Sequence, residues 1–448
     1  MKSRLVLLLG LVAVGLLFTQ DLYAQEDTQE SLDFKWGGAL RLRHEYWKNW
    51  KDMDNDKLDT RNFFRIKSSL WGKWAHENMG LFLKLTNENK AYTYFGNSTT
   101  GSKNYRYVVN EFVVDNLYLD IKDVFDMPLD LRIGRQDFLG QYGEGFLIMD
   151  GTPQDGSTTF YFNAIKAAWK IDDSNNLDII YINNPRDDKY LPIFNQGSSP
   201  QTLNTTDEEA YVLYWKNKSV DKLALDGYYI YKREDDQYGA GSQAEKSIIN
   251  TVGSYAKYNA VPYTLRGQLA YQFGDYGEQD RKALGGYLFV DRDFKDTNWT
   301  PKASIGFLYL SGDDTDTSDN ESWDPLFSRW PWMSEFYVLN TLAGTNILGY
   351  WTNMLIYRAE LSLKPTDKLS MQLWYNYLKA DEKTAASSSY NLSGTGKDRG
   401  HLPQFKVKYK INDNISTYFL AEYFIPGNFY TDDADEGLFL RTEVQFKF

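Results

Sequence analysis

Leu438–Phe448 reads LFLRTEVQFKF. Successive side chains of an extended strand point to opposite faces. Leu438, Leu440, Thr442, Val444, Phe446 and Phe448 therefore share one face, and Arg441, Glu443, Gln445 and Lys447 share the other. One side is apolar and the other charged, and the alternation continues to the last residue.

The same period of two recurs along the chain. Phe405, Val407, Tyr409 and Ile411 oppose Lys406, Lys408 and Lys410. Tyr263, Leu265, Leu269, Tyr271 and Phe273 oppose Thr264, Arg266, Gln268 and Gln272, and Leu355, Tyr357, Ala359, Leu361 and Leu363 oppose Arg358, Glu360, Ser362 and Lys364. The pattern predicts eighteen strands, near 33–48, 58–75, 78–95, 107–122, 128–137, 160–171, 176–184, 207–218, 223–234, 247–258, 262–275, 281–295, 300–312, 350–364, 368–381, 402–412, 415–425 and 437–448. Short connections rich in Asp, Asn, Lys and Pro, such as 171–176 and 411–415, occur among long ones such as 185–206, 311–349 and 381–401.

The N-terminus bounds where such strands reside. Lys2 and Arg4 precede an apolar run, Leu5 to Phe18, and then Leu22-Tyr23-Ala24, which reads as a secretory signal peptide over residues 1–24 followed by one domain over 25–448. Cysteine is absent, so disulfides, thiol catalysis and thiolate metal sites are excluded. Beyond residue 24 no run of about 18 apolar residues could form a spanning helix. Yet 16% of the chain is aromatic, with 34 Tyr, 26 Phe and 13 Trp, more than a soluble core of this size needs. Tyr and Trp concentrate where one end of a side chain is apolar and the other wet.

These features predict an all-β, transmembrane antiparallel β-barrel of about eighteen strands, with short periplasmic turns and long extracellular loops, in a bacterial outer membrane. A soluble sandwich, propeller or solenoid is the competing architecture. Long strands, aromatics near strand ends (Trp36, Tyr46, Trp74) and the terminal Phe448 weigh against it. A C-terminal aromatic on an alternating strand is similar to the signal read by the barrel-assembly machinery.

If the apolar faces meet lipid, the opposite faces line the lumen. Arg41, Arg43, Arg61, Arg65, Lys67, Lys84, Arg132, Lys166, Arg266, Arg358, Lys406, Lys408 and Arg441 then point inward, with Glu45, Glu88, Asp226, Glu360 and Glu443. The wall is mixed with a basic excess, although the chain carries a net charge of −12. The acid lies in the loops: GDDTDTSDNESWD at 312–324, DDADE at 432–436 and DMDNDKLD at 52–59. Such segregation predicts attraction of an anionic solute. The alternatives are a general porin whose inward charges only brace and solvate the barrel, or a non-conducting surface adhesin or envelope scaffold. Acidic loops facing lipopolysaccharide are expected to bridge it through divalent ions.

Catalytic and metal chemistry find little support. DMDNDKLD lacks the Gly and Glu that an EF-hand needs, having Lys57 and Phe63 in those places. A looser Ca²⁺ site, there or at Asp150 and Asp155, is the only metal candidate, and Asp-Gly pairs are turn formers first. The three His show no nucleophile spacing, and GQYGEG lacks the Ser or Lys of a nucleophile elbow or P-loop. No enzyme, cofactor or nucleic-acid partner is expected.

One further stretch carries a resemblance. LRIGRQ at 131–136, YGEGFLIMDGTPQDGS at 142–157 and YFNAIKAAW at 161–169 together resemble the alginate export family of outer-membrane barrels. The resemblance implies an eighteen-stranded barrel with an arginine-rich constriction partly closed by inward loops, passing a small anion or an anionic polysaccharide. It would put Arg135 and the loop Gly140 to Ser157, with Tyr142, Gly143, Gly145, Asp150 and Asp155, in the pore interior. Arg41, Arg43, Arg65, Arg132, Arg266 and Arg358 are the candidate wall charges.

Overall fold

Alternation of this kind builds a sheet with one apolar face, and the computed structural model closes that sheet into a barrel. It describes residues 33–50, 53–56, 60–97, 102–103, 105–150, 161–191, 194, 206–235, 246–328, 333–335, 352–388 and 390–448. The strands are β1 (Asp33–Lys48), β2 (Arg61–His76), β3 (Met79–Asn97), β4 (Arg106–Ile121), β5 (Leu129–Gln136), β6 (Phe162–Lys170), β7 (Asn175–Asn184), β8 (Glu208–Asn217), β9 (Leu223–Glu234), β10 (Ser247–Ala260), β11 (Tyr263–Tyr276), β12 (Gln279–Asp293), β13 (Lys302–Leu310), β14 (Met354–Leu363), β15 (Leu369–Lys379), β16 (Asp398–Lys410), β17 (Ile415–Pro426) and β18 (Gly437–Lys447). A two-residue strand, Ser102–Lys103, pairs with the end of β3.

Each strand pairs antiparallel with the next, and β1 pairs with β18 from Ala39↔Lys447 to Lys48↔Leu438. In hydrocarbon every backbone N–H and C=O needs a partner within the protein, and closure removes the two edges an open sheet would leave. The seam continues to the terminal residue. Gly38 donates to the Phe448 carbonyl at 3.0 Å and Phe448 donates back to Gly38 at 3.1 Å.

Asp33 and Phe448 lie at the end that carries the short turns 77–78, 171–174, 261–262 and 411–414; the long connections 137–161 and 311–353 lie at the other. The predicted strands recur with bounds shifted by a few residues. One such shift is at 381–401, read from the sequence as one loop. Asp398–His401 already belong to β16, where His401 meets the Tyr375 hydroxyl at 2.8 Å.

Outward positions keep large apolar side chains exposed, as lipid contact requires. Leu269 and Ile305 are 60% and 64% exposed. Exposed aromatics gather at both levels where such a band meets water: Trp36, Trp169, Tyr263, Tyr409 and Phe448 toward the turns, and Tyr107, Tyr211, Tyr229, Tyr357 and Tyr375 toward the loops.

Register corrects one expectation. The family resemblance implied that Arg135 lies inside the pore, but β5 stays paired through Gly134 to Gln136. Gly134 permits this: its φ is +123°, and a Cβ there would lie 2.3 Å from the Leu117 carbonyl. With pairing unbroken (Arg135↔Asn163, Gln136↔Phe162), Arg135 shares the outward face with Leu131 and Ile133, while Arg132 points inward. Its guanidinium meets Asp188 at 2.6 Å, donates to the Val114 carbonyl at 3.0 Å and lies 3.7 Å from the Tyr161 ring. It clamps the segment after β7 onto the outer rim.

Two outcomes follow from this geometry. Leu269→Arg puts a guanidinium against lipid and is expected to lower unfolding stability by about 2–4 kcal/mol in urea titrations followed by Trp fluorescence. Arg135→Ala is expected to speed proteolysis within 185–207 while leaving the ion selectivity of reconstituted protein unchanged; altered selectivity would put Arg135 back in the lumen.

Candidate functional site

The inward faces of β1, β2, β3 and β18 carry a continuous ionic belt. Glu45 is fully buried and accepts from Arg65 at 3.0 Å and from Arg441 at 2.8 Å. Arg43 donates to Glu443 at 2.7 Å, and Arg41 and Arg65 both reach Glu88, at 3.3 and 3.4 Å. Alternation places these residues on one face, and register sets them side by side: Arg43↔Arg65, Arg43↔Glu443 and Glu45↔Arg441 are direct neighbours. Burying an ion is costly unless its partner is close and its remaining polar atoms are satisfied, which explains why the charges interlock.

The opposite half of the wall is apolar and is covered from inside. Phe138, Tyr142, Leu147, Ile148 and Met149, from the loop 137–161, are buried with Trp323, Leu326 and Phe327, from the loop 311–353, against inward residues such as Ile180, Val212, Ile230 and Leu308. Each fully buried side chain of this kind contributes about 1.5–3 kcal/mol. The two loops join where the Phe327 amide donates to the Ile148 carbonyl at 3.0 Å. Gly285 of β12 leaves room for the Trp323 indole, since a Cβ there would fall 2.6 Å from it.

Polar contacts fix the loops to the wall. The Tyr142 hydroxyl donates to Asp178 at 3.0 Å, and the Gly143 amide donates to the Tyr214 hydroxyl at 2.8 Å. Burial, and then the Asp178 carboxylate, push the Tyr142 hydroxyl well above its ordinary pKa, so it remains a donor. Glu144 pairs with Arg266, which also reaches Asp291 at 3.0 Å. Burial holds the Glu144 carboxyl above its ordinary range, against the opposing pull of Arg266. Lys232 donates to the Leu326 carbonyl at 2.7 Å. Farther along the same loop, Ser334 donates to Glu422 at 2.6 Å, Gln404 to the Met333 carbonyl at 2.9 Å and Arg441 to Glu335 at 2.8 Å. The loop 311–353 thus touches both halves of the wall.

The candidate arginines therefore divide into three groups. Arg41, Arg43 and Arg65 lie buried in the belt, all paired. Arg132, on Asp120 at 2.6 Å, and Arg266 are paired but partly open to the lumen, and Arg135 faces outward. Arg358 differs: no ion pair to it occurs among the described residues, and its contacts are the Met333 sulfur at 2.9 Å and the Trp374 ring at 5.3 Å. Gly140, Gly143 and Gly145 all have positive φ and carry the loop inward. Asp150 is buried, and Asp155 lies outside the described residues. Among the described residues no three His, Asp or Glu gather as a metal site, and in DMDNDKLD the Asp54 carboxylate accepts the Asp56 amide as a turn does. Lys216, Lys232 and Lys257 were passed over, although each sits at an inward position of an alternating strand.

Known proteins can now be set beside this arrangement. The family model described as alginate export matches residues 33–438. Similar folds include Pseudomonas aeruginosa OccK5 (OpdH), with a TM-score of 0.53 at 11% identity over 92% of this chain and 98% of that one. The outer membrane protein OprD of the same organism gives 0.53 at 11% over 94% and 95%. OccK2 (OpdF) of that organism, in complex with glucuronate, gives 0.54 at 9% over 93% and 98%. At these identities the likeness is one of fold. No curated protein sequence matches the chain. With the family match reaching from β1 into β18 and a closed barrel around a charged lumen, the chain belongs to the alginate export family of outer-membrane β-barrels.

Proposed function

We propose that this barrel is a passive channel for hydrophilic anions, which cross between the inward loops and the charged wall. The observation that carries the reading is a difference in exposure. Of the inward carboxylates, Glu45, Glu88, Asp178, Asp291, Glu422 and Glu443 are buried while Asp120, Asp226 and Glu360 keep part of their surface; the partly open inward bases are more numerous, with Lys67, Lys84, Lys90, Arg132, Lys166, Lys216, Lys257, Arg266 and Arg358. A solute there meets more bases than acids. At about 4 Å a single charge contributes about 1 kcal/mol in bulk water and about 4 kcal/mol where the walls exclude water, enough to select without trapping. The glucuronate bound to OccK2 is itself a hydrophilic carboxylate, which fits the same reading. No covalent chemistry is involved.

Neutralisation of Arg41, Arg43 and Arg65 within the belt favours a second reading, a general porin with little ion preference. Reversal potentials of reconstituted protein in a salt gradient separate the two. The first expects anion preference, weakened by Arg358→Glu and further by adding Arg132→Glu; a reversal potential of zero supports the second. Protein that inserts without conducting would remove both in favour of a scaffold.

Acidity supplies an independent check. Because the Glu144 carboxyl titrates above its ordinary range, it protonates early as pH falls. Arg266 then keeps only Asp291, and the lumen gains positive charge. Anion preference should therefore rise as pH drops toward the carboxylate range, and Glu144→Gln should show the raised preference at neutral pH and lack that step.

A further inference from the structure

We propose that the channel rectifies, passing anions more readily from the turn side to the loop side than in reverse. The inference rests on the channel reading and adds a direction to it. Its basis is the order of fixed charge along the axis. Toward the turns, the partly open inward cations Lys84, Arg132, Lys216, Lys257, Arg266 and Lys302 lie near the inner ends of their strands, while their neighbours Asp115, Asp178 and Asp291 are buried. Toward the loops the sign reverses. Asp313, Asp314, Asp316, Asp319 and Glu321 crowd one loop in a stretch without a base, Asp432, Asp433, Asp435 and Glu436 another, and Asp381 and Glu382 a third.

Three of these acids are tied to backbone amides. Asp313 accepts the Glu321 amide at 2.9 Å, Asp314 accepts the Asp316 amide at 3.0 Å, and Asp435 accepts the Asn55 amide at 2.7 Å. Bases offset part of this charge, with Lys383 beside Glu382, Lys282 on Asp319 and Lys397 on Glu382 at 2.6 and 2.9 Å, but the stretches 313–321 and 432–436 contain none.

A pore that is basic toward one mouth and acidic toward the other behaves as two selective segments in series. When the field drives anions in from the basic side and cations in from the acidic side, both accumulate and current flows easily. When it is reversed, both are drawn out and the lumen is depleted. The asymmetry depends on unscreened charge, so it is strong at low ionic strength and fades as the Debye length shrinks to about 3 Å near 1 M salt.

Single-channel currents in planar bilayers at low salt test the proposal. The chain has no cysteine, so Asp316→Cys with a membrane-impermeant thiol reagent marks which side carries the loops. Current is expected to be larger, by roughly twofold or more, when the turn side is negative, and to become symmetric in concentrated salt. The combined variant Asp313→Asn, Asp314→Asn, Asp316→Asn, Asp319→Asn keeps the side-chain oxygens that accept the loop amides; it should conduct with much of the asymmetry lost. Equal currents at both polarities in low salt, the opposite polarity, or unchanged asymmetry in the variant would overturn the proposal while leaving the channel intact. Absence of any conductance would overturn the channel reading and this one with it.

Discussion

Glu45 has no exposed surface, yet it carries a charge shared by three strands. Arg441 reaches it from β18, Arg65 from β2 and Arg43 from β1 itself. A carboxylate taken out of water alone costs several kcal/mol, and three guanidiniums drawn to it repel one another unless each finds a second acid. Glu443 and Glu88 meet that need, and Glu335 extends the chain of contacts into the loop 311–353. First strand, last strand and crossing loop thus come together around one carboxylate. Removing any one member leaves an uncompensated buried charge, a change of about 3–5 kcal/mol in comparable sites.

This constraint divides the work of the arginines. Those that alternation places most clearly inside, Arg41, Arg43 and Arg65, have their charge met by Glu45, Glu88 and Glu443, so the solute sees little of it. The charge left open to the lumen lies on other bases, among them Arg358, whose contacts are a thioether and an indole rather than a carboxylate. A dense arginine pattern in a barrel sequence is therefore a poor measure of pore charge. What counts is the base left over after register has paired the rest.

Much of this was legible from period and spacing. Alternation with its polar turns marked the eighteen strands, and long strands, aromatics near their ends and the terminal Phe448 pointed to lipid. The misplacement of Arg135 has another source. The strand predicted over 128–137 already alternates Arg135 onto the face of Leu131 and Ile133; the family resemblance, and not the period, put it in the pore, and Gly134 at positive φ leaves the pairing unbroken. Pairing across the seam was not legible, because Glu45 and Arg441 are joined by closure and not by proximity in sequence. The packing of Leu147, Ile148 and Met149 against Phe327 was hidden for the same reason. A short apolar run in a loop does not announce its partner.

The two halves of the lumen also differ in how they can respond. The loops rest on a cluster of buried apolar side chains, and such packing resists small displacement. The facing wall is held by buried ion pairs that salt screens little, while the tie of the loop through Glu144 to Arg266 depends on pH. The loop half of the lumen is therefore closed by buried apolar side chains such as Phe327, Ile148 and Trp323, while charge open to the lumen is carried by bases such as Arg358, Lys67 and Lys257. Substitutions within the apolar set should alter the sieving of large solutes, and substitutions within the basic set should alter the balance of ions. The division runs along single strands as well: β8, β10 and β14 carry Val212, Ile249 and Ile356 at inward positions nearer the loops, and Lys216, Lys257 and Arg358 on the same faces nearer the turns.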